Sequence, residues 1–196
     1  MREIHTKDDF RYFVRADLCR YGYGVSRKAF RQAKKFVPGF RFTYQLRLCD
    51  YLSKAPVFKR PLFYLANARL ERYKFKYGFD IEYSTKIGAG LHLSHWGGVV
   101  INPAVVIGEN CNLSQQITIG VDSKEGMDAV PVIGSGVYIA PGSKIFGKIT
   151  VGDNSAIGAN SVVNRDVPAG VTVGGIPAKI ISQDDASGYV KNICQE

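Results

Sequence analysis

A histidine followed closely by two glycines is the feature of this chain best suited to chemistry. His95 lies in the segment 94–98, where Gly97 and Gly98 come after it. An imidazole with an unperturbed pKa near ~6.5 accepts a proton at neutral pH, as a general base must. Glycine carries no Cβ and lets the backbone approach a bound molecule closely. We therefore predict that His95 removes a proton from a reacting group bound beside this segment.

The segment around His95 interrupts a six-residue repeat of aliphatic residues, which fills most of the second half of the chain. The aliphatic positions are Ile81, Ile87, Leu93, Ile101, Ile107, Leu113, Ile119, Ile133, Ile139, Ile145, Val151, Ile157 and Val163. A fixed period of six predicts a parallel β-helix, in which each hexad supplies one short strand and one turn. An α-helix repeats near 3.6 residues and a strand repeats every second residue, so neither produces this pattern.

The repeat loses its register at two places. Leu93 and Ile101 are eight residues apart, which puts two extra residues within segment 94–98. Ile119 and Ile133 are fourteen residues apart, which leaves room for a loop over residues 121–131. Insertions in a repeat fold emerge as loops, often on one functional face, so the slip beside His95 supports a site there.

The residues ahead of the repeat predict four helices within residues 6–77. The end signals are a capping box of Thr6 and Asp9, a cap at Ser26, a stop at residues 37–39, Pro61 in the first turn of the last helix and Gly78 at its end. The chain therefore divides into a helical segment (1–78), a β-helix (79–181) and a C-terminal tail (182–196). The predicted fold class is mainly β, with an α-helical segment in front.

Charge is divided unevenly between these parts. Residues 1–78 carry a net charge of +13 and residues 79–196 a net charge of −4. A basic, aromatic-rich helical segment is typical of a surface that contacts anions, such as a phosphorylated lipid, an anionic polymer or the membrane surface. A solvated basic face is the alternative, since most runs of charge have no further role.

The cysteines and the hydrophobic pattern bear on location. Cys19, Cys49, Cys111 and Cys194 are far apart and form no CxxC pair, which favours reduced thiols over a disulfide scaffold or a zinc cluster. No apolar run reaches the ~20 residues that span a bilayer, and the first ten residues lack the apolar core of a signal peptide. We expect a cytoplasmic protein, at the inner face of the membrane if the basic helices contact lipid.

Five motifs together resemble the hexapeptide-repeat acyltransferases, in the serine acetyltransferase-like branch that includes polysaccharide O-acetyltransferases. They are residues 79–81 (FDI), 93–98 (LSHWGG), 114–120 (SQQITIG), 157–163 (IGANSVV) and 175–179 (GIPAK). The resemblance implies a left-handed β-helix, a homotrimer with active sites between subunits, and acetyl-CoA as the acyl donor with no metal and no nucleic-acid partner. It also makes His95 the catalytic base. Asp80, fifteen residues earlier, is then the carboxylate that orients the imidazole.

The same resemblance assigns a binding groove for acetyl-CoA along the later coils. The matching positions are Gly120, Ala140, Pro141, Gly158 and Ala159 for the pantetheine arm, and Arg165 and Lys179 for the phosphates. Basic side chains suit those phosphates by charge. At each of these positions an ordinary turn or surface residue is the alternative.

The departures from the branch concern the acceptor. Serine acetyltransferases carry an aspartate where this chain has Ser94, and an arginine–histidine pair where it has Ala129 and Val130. Without those charged groups, recognition of an amino acid loses charged hydrogen bonds worth roughly 1.5–3 kcal/mol each. We therefore expect a sugar hydroxyl of a surface-polysaccharide precursor as the acceptor, bound at Ser94 and Trp96. Serine is the alternative acceptor, and a non-catalytic β-helix scaffold is a third possibility. A zinc enzyme would need three histidine ligands, and the repeat supplies His92 and His95 alone.

Overall fold

The computed structural model describes residues 1–124, 126 and 128–194. Within that part of the chain four α-helices precede fifteen short strands. The helices are α1 (Lys7–Cys19), α2 (Arg27–Phe36), α3 (Pro38–Ser53) and α4 (Arg60–Tyr77), with 3₁₀ turns at Val57–Lys59 and Ala186–Gly188. The strands are β1 (Phe79–Asp80), β2 (Lys86–Ile87), β3 (His92–Leu93), β4 (Val99–Ile101), β5 (Val106–Ile107), β6 (Asn112–Leu113), β7 (Thr118–Gly120), β8 (Val132–Ile133), β9 (Tyr138–Ile139), β10 (Lys144–Phe146), β11 (Thr150–Val151), β12 (Ala156–Ile157), β13 (Val162–Val163), β14 (Thr172–Gly175) and β15 (Ala178–Ser182).

The strands form the three walls of a triangular coil, which we define as residues 79–182. In the described residues, sheet A has the order β1-β4-β7-β10-β13, sheet B the order β11-β8-β5-β2, and sheet C the order β15-β14-β12-β9-β6-β3. From β1 to β13 each successive strand goes to the next sheet, whereas β14 and β15 both lie in sheet C. Neighbours within a sheet are parallel, apart from the antiparallel pair β14–β15. All thirteen aliphatic positions of the repeat are at most 4% exposed. The parallel β-helix predicted from the period is confirmed.

The pairing registers locate both insertions. Leu93 pairs with Leu113, twenty residues on, whereas Val100 pairs with Thr118, eighteen residues on. The first coil therefore holds two more residues than the second, and both lie between Ser94 and Val99. Val106 pairs with Val132, twenty-six residues on, so the longer insertion lies before β8, as predicted.

Glycine and asparagine alternate at the corners of the coil, where the backbone turns with positive φ. Gly136 has φ +67 and Asn154, one coil later, has φ +55. A Cβ at Gly136 would collide with the Asn154 side-chain oxygen, and the same holds for Gly142 beneath Asn160. The glycine is needed at these two corners for conformation and for space, because the asparagine of the next coil occupies the position of its missing side chain.

The predicted ends of the helices are largely confirmed. Thr6 and Asp9 form the capping box, Ser26 Oγ accepts from Ala29 N at 3.1 Å, and Gly78 ends α4 at φ +65. One boundary differs from the prediction. Pro38 belongs to the segment predicted to end the second helix, and in the structure it begins α3 directly after α2. Proline fits a first helical turn because the N–H groups there have no intrahelical partner.

A buried ion pair fixes α1 and α3 to the first coil. Arg47 Nε donates to Asp17 Oδ2 at 3.0 Å, and Arg47 also donates to the Ile87 and Gly88 carbonyls at 2.7 and 2.6 Å. Asp17 Oδ1 accepts from Leu91 N at 2.8 Å. The aliphatic core of the coil also continues into α3 through the Phe42–Phe79 ring contact at 4.9 Å. The helical segment therefore closes the first coil and shares its core.

The C-terminal segment (residues 183–194) folds back along sheet C. The Tyr189 ring stacks on Tyr138 at 4.3 Å between centroids, and Cys194 forms a disulfide with Cys19 at a Cα separation of 5.7 Å. The expectation that all thiols are free is therefore wrong for this pair. The two cysteines are 175 residues apart and become neighbours only after the tail has packed beside α1. No helix among the described residues is long and apolar enough to cross a bilayer.

Candidate active site

The two inserted residues, His95 and Trp96, project from a corner of the first coil, and both are exposed. The backbone on either side is fixed: Ser94 N donates to Leu113 O at 3.1 Å, and Gly97 N donates to Tyr77 O at 2.8 Å. Gly97 and Gly98 have φ values of +111 and +66. These left-handed conformations return the chain to β4 and leave the imidazole and the indole outside the coil.

Asp80 lies on the outer side of β1, close in the fold to the inserted residues. Phe79 and Asp80 pair with Val99 and Val100, the residues that directly follow the His95 segment. Gly78 is packed so closely on that segment that a Cβ there would lie 3.2 Å from the Gly97 Cα. The first coil therefore brings Asp80 and His95 to one side of the molecule, and both are exposed in the single chain. The orienting role of Asp80 stays a prediction.

His92 lies on the inner side of this corner. Its ring packs against Tyr21 at 4.5 Å between centroids, and its Nδ1 is 3.3 Å from Ser94 Oγ. Burial, reinforced by the nearby Arg20 and His95 charges, lowers the pKa of His92 to about 4. His92 is therefore neutral at pH 7 and acts as a packing residue. Ser94, predicted to contact the acceptor, has its hydroxyl near His92.

Four residues assigned to acetyl-CoA lie on the same corner as His95. The registers Leu93–Leu113, Leu113–Ile139 and Ile139–Ile157 place Ser94, Ser114, Ala140 and Gly158 one above another. Gly97, Gln115, Pro141 and Ala159 form the next row, because Gly97 O accepts from Gln116 N, Gln115 O from Gly142 N and Pro141 O from Asn160 N, and the inserted His95 projects beside this row. We call this corner, made of the two rows and the projecting His95, the His95 column. Asn160 N donates to Pro141 O at 2.9 Å, which continues the stacking between coils.

The other assigned residues lie apart from that column. Gly120 ends β7 and pairs with Phe146. It lies where the strands of sheet A end, whereas the His95 column lies before they begin, so a strand of about three residues, or ~10 Å, separates them. Arg165 follows β13 and Lys179 lies in β15 opposite Gly174. Both cations are exposed on the last coils. The structure therefore brings the histidine and four of the seven groove residues to one corner, whereas Gly120 lies across sheet A and the two cations lie on the last coils.

Gln115 belongs to the His95 column, and sequence reasoning assigned it no role. Its Oε1 is buried without a hydrogen-bond partner, and the residue lies one coil on from Gly97, beside which His95 projects. The signal that could have found it is its position in residues 114–120, one of the five motifs. An unpaired buried acceptor costs free energy, so a donor from a bound molecule would stabilise this position.

The loop between β7 and β8 turns its aliphatic residues inward. Ala129 is 3% exposed, and Val130 packs against the core of the coil. These are the positions where the branch carries an arginine–histidine pair, so neither supplies a charged group in this chain. Residues 125 and 127 of this loop lie outside the described part of the chain. Among the described residues, no cluster of His, Cys, Asp and Glu could hold a metal ion.

Comparison with known proteins defines first the class and then the family. The model for "Bacterial transferase hexapeptide (six repeats)" matches residues 131–165. The solved serine acetyltransferase of Brucella abortus superposes with a TM-score of 0.76 and 30% identity, covering 92% of this chain and 72% of that one. The same enzyme in complex with coenzyme A gives 0.75 and 31%, over 91% of this chain and 70% of that one. The fold is therefore the left-handed parallel β-helix of the hexapeptide-repeat transferases.

Curated relatives define the family more narrowly. The serine acetyltransferase of Helicobacter pylori strain J99 is 37% identical over 137 residues, which are 70% of this chain and 80% of that protein. Those of Synechococcus elongatus and Haemophilus influenzae are 34% and 36% identical, over 74% and 78% of this chain. The chain belongs to the serine acetyltransferase family. It spans 57% and 55% of the lengths of the last two relatives.

Proposed function

We propose that this protein is an O-acetyltransferase that uses acetyl-CoA as the acyl donor and His95 as the general base. The single observation that carries the proposal is the His95 column. An exposed histidine projects at its head, and the assigned groove residues Ala140, Pro141, Gly158 and Ala159 continue below it. A long extended thioester could lie along such a column with its acyl group beside the imidazole.

The chemistry follows from that placement. His95 takes the proton of the acceptor hydroxyl while the hydroxyl oxygen attacks the thioester carbonyl. The tetrahedral intermediate collapses, the carbon–sulfur bond breaks, and the imidazolium returns its proton to the departing thiolate. The products are an acetyl ester and free CoA, and His95 is regenerated. Asp80 would stabilise the imidazolium that forms between the two steps.

Serine is the acceptor that we propose first. The relatives at 34–37% identity are named serine acetyltransferases, and this supports the alternative acceptor over the glycan expected from the sequence departures. No comparison supports a role in polysaccharide synthesis. Ser94 and the inward Ala129 and Val130 mean that any recognition of serine's charged groups uses other residues than in the branch.

A glycan hydroxyl is the second candidate, and one observation favours it. A groove of about 860 Å³ between α3 and α4 is lined by Arg69, Arg72 and Lys76 together with the exposed Leu62 and Leu65. Cations beside exposed aliphatic side chains suit an acceptor that carries both a phosphate and a lipid. Such an acceptor would involve the membrane surface, whereas serine would not.

We further propose that the site is completed by a second copy in a homotrimer. His95 and Asp80 are exposed in the single chain, and Val100 between their segments is 41% exposed on the outer face of sheet A. A neighbouring copy would cover this face and give the column a second wall. Light scattering that shows an active monomer would refute this arrangement.

Thiol release from acetyl-CoA tests the proposed activity. Serine should release CoA at a rate that depends on both substrates, and a panel of sugars, nucleotide sugars and lipid-linked glycans should not. Release with a glycan and not with serine would replace the first acceptor by the second. Absence of acceptor-dependent release with either class would refute the enzyme and favour a scaffold.

A further inference from the structure

A buried arginine outside the candidate active site lacks most of its hydrogen bonds. Arg20, at the C-cap of α1, is 3% exposed. Its Nη2 donates to Asn112 Oδ1, but its Nε and Nη1 are buried without a partner. Guanidinium stays charged in proteins, so this is a desolvated cation with unpaired donors. Burying such a group is strongly unfavourable unless an anion accompanies it.

The carboxylate nearest to Arg20 in sequence is fully engaged elsewhere. Asp17, one helical turn earlier, accepts two hydrogen bonds from Arg47 and one from Leu91 N. In the described part of the chain, no salt bridge involves Arg20. The C-terminal end of α1 favours a cation through its dipole, but it accepts none of the unpaired N–H groups. Among the described residues, therefore, no acidic side chain forms an ion pair with Arg20.

Arg20 faces a cavity of about 280 Å³ beneath the C-terminal segment. The cavity is also lined by Asn112, His92 and Lys191, and by the rings of Tyr21 and Tyr189. The C-terminal segment is held over it, because Asn112 Nδ2 donates to Tyr189 O at 2.9 Å and Cys194 is bonded to Cys19 beside Arg20. Two cations and an amide therefore line one space, and no acidic side chain of residues 1–124, 126 and 128–194 lines it.

We propose that this cavity binds a small oxyanion, such as a carboxylate or phosphate, as a site distinct from the acetyl-transfer centre. The anion would compensate the Arg20 charge from within the cavity and attract the exposed Lys191, which would hold the C-terminal segment against sheet C. It would also offset the Arg20 charge felt by His92, whose Nδ1 lies 3.3 Å from Ser94 Oγ. The site is therefore lined by His92, whose ring is next to the Ser94 hydroxyl, one residue before His95.

Thermal unfolding of the full-length protein tests the site with sodium acetate and sodium phosphate as probes. Sodium chloride at the same ionic strength is the reference. Acetate or phosphate should raise the Tm with a saturable concentration dependence, because a ligand that binds the folded state alone stabilises it by mass action. The two salts separate the sources: a rise with acetate identifies a carboxylate site, and a rise with phosphate alone identifies a phosphate site.

Arg20→Gln should abolish the anion-dependent rise in Tm. Arg31→Gln removes the same charge from an exposed position on α2 and should retain it. If Arg20→Gln does not fold, Lys191→Gln at the cavity rim should weaken anion affinity a few-fold. In NMR titrations the pKa of His92 should rise when the anion binds, since the imidazolium is then less strongly repelled. Equal Tm values in acetate, phosphate and chloride, or an anion effect that survives in Arg20→Gln, would overturn the proposal.

Discussion

The helical segment and the coil use charged residues in opposite ways. Among the described residues, the fully buried charged side chains belong to the helical segment: Asp17, Arg20 and Arg47. The polar side chains buried in the coil are uncharged: Thr85, Asn112, Ser114, Ser143, Ser155 and Ser161. His95 and Asp80 stand on its outside. In the helices, buried charge holds the fold together, whereas in the coil the reactive groups are kept out of the fold.

The difference follows from how hydrogen-bond partners are supplied to the backbone in each part. In the coil, backbone groups of one turn form hydrogen bonds with those of the next. Serines at the corners donate to corner carbonyls: Ser143 Oγ donates to Ala140 O at 2.9 Å and Ser161 Oγ to Gly158 O at 2.7 Å. The first coil has no coil before it, so some of its carbonyls need other donors. Arg47 supplies them at Ile87 and Gly88, and Asp17 neutralises Arg47. Inside the stack, each coil finds its backbone hydrogen-bond partners in the neighbouring coils, and only the end coils need partners from elsewhere.

This comparison predicts that changes outside the coil wall affect rate, whereas changes inside the helical segment affect stability. The largest expected effect is the loss of acetyl-transfer rate in the His95→Ala variant. Loss of the base should lower the rate of acetyl transfer on the order of 10²–10⁴-fold. The Tm should stay the same, because the imidazole is exposed. His5→Ala, at an exposed position near the N-terminus, is the matched control. A His95→Ala variant with more than a tenth of wild-type turnover would end the assignment.

The strongest effect on stability should come from Asp17→Ala. This change leaves Arg47 buried and uncompensated, and should lower the free energy of unfolding by about 3–5 kcal/mol. Urea denaturation measures it. The double variant Asp17→Ala/Arg47→Met should recover part of the loss, because it removes the stranded charge together with its partner. If both variants are equally destabilised, the ion pair is not what fixes the helices to the coil.

A smaller effect is expected for Asp80→Asn. The amide keeps the shape but cannot stabilise an imidazolium, so kcat should fall about tenfold, or ~1.4 kcal/mol. KM for acetyl-CoA should change little. Steady-state kinetics at saturating acceptor distinguish the two parameters. A variant with full kcat would leave His95 to act without this carboxylate.

The smallest effect concerns the exposed cations of α4. Lys74 is excluded because it is paired with Glu71 and Glu82, which leaves Arg69, Arg72 and Lys76. Under the second candidate function, in which a glycan is the acceptor, changing those three to serine should raise KM for an anionic glycan roughly twofold to fivefold, as expected of exposed charges, and should flatten its salt dependence. KM for serine and for acetyl-CoA should stay constant. Indifference of a glycan acceptor to these charges would make the basic face a solvated surface.

Much of the fold could be predicted because its signals are local. Each aliphatic position of the repeat is buried by its own hexad, so the period alone located the thirteen core positions and the two insertions. Thr6, Ser26 and Gly78 act within a few residues of themselves, and their roles were predicted for the same reason. His95 was conspicuous because it coincides with a break in the period.

What could not be predicted depends on residues that are distant in sequence. Asp17 meets Arg47 thirty positions on, and Cys19 meets Cys194 only through the path of the C-terminal segment. No local pattern distinguishes Arg20 from the other basic residues of the helical segment, although its surroundings are unlike theirs. The roles of Asp80 and the groove residues rest on resemblance, because exposed side chains leave no trace in a burial pattern.

The reversed strand β15 has a consequence for how copies of this chain can assemble. A stack of parallel coils could in principle lengthen by adding another chain at its open end, as filaments do. The outermost strand of sheet C at that end is β15, which runs antiparallel to β14. Its free hydrogen-bonding groups therefore have a different spacing from those of a parallel strand. At the other end, Arg47 of α3 already donates to the Ile87 and Gly88 carbonyls of the first coil. Head-to-tail growth is thereby disfavoured, and copies are left to meet side by side, where an assembly closes on itself.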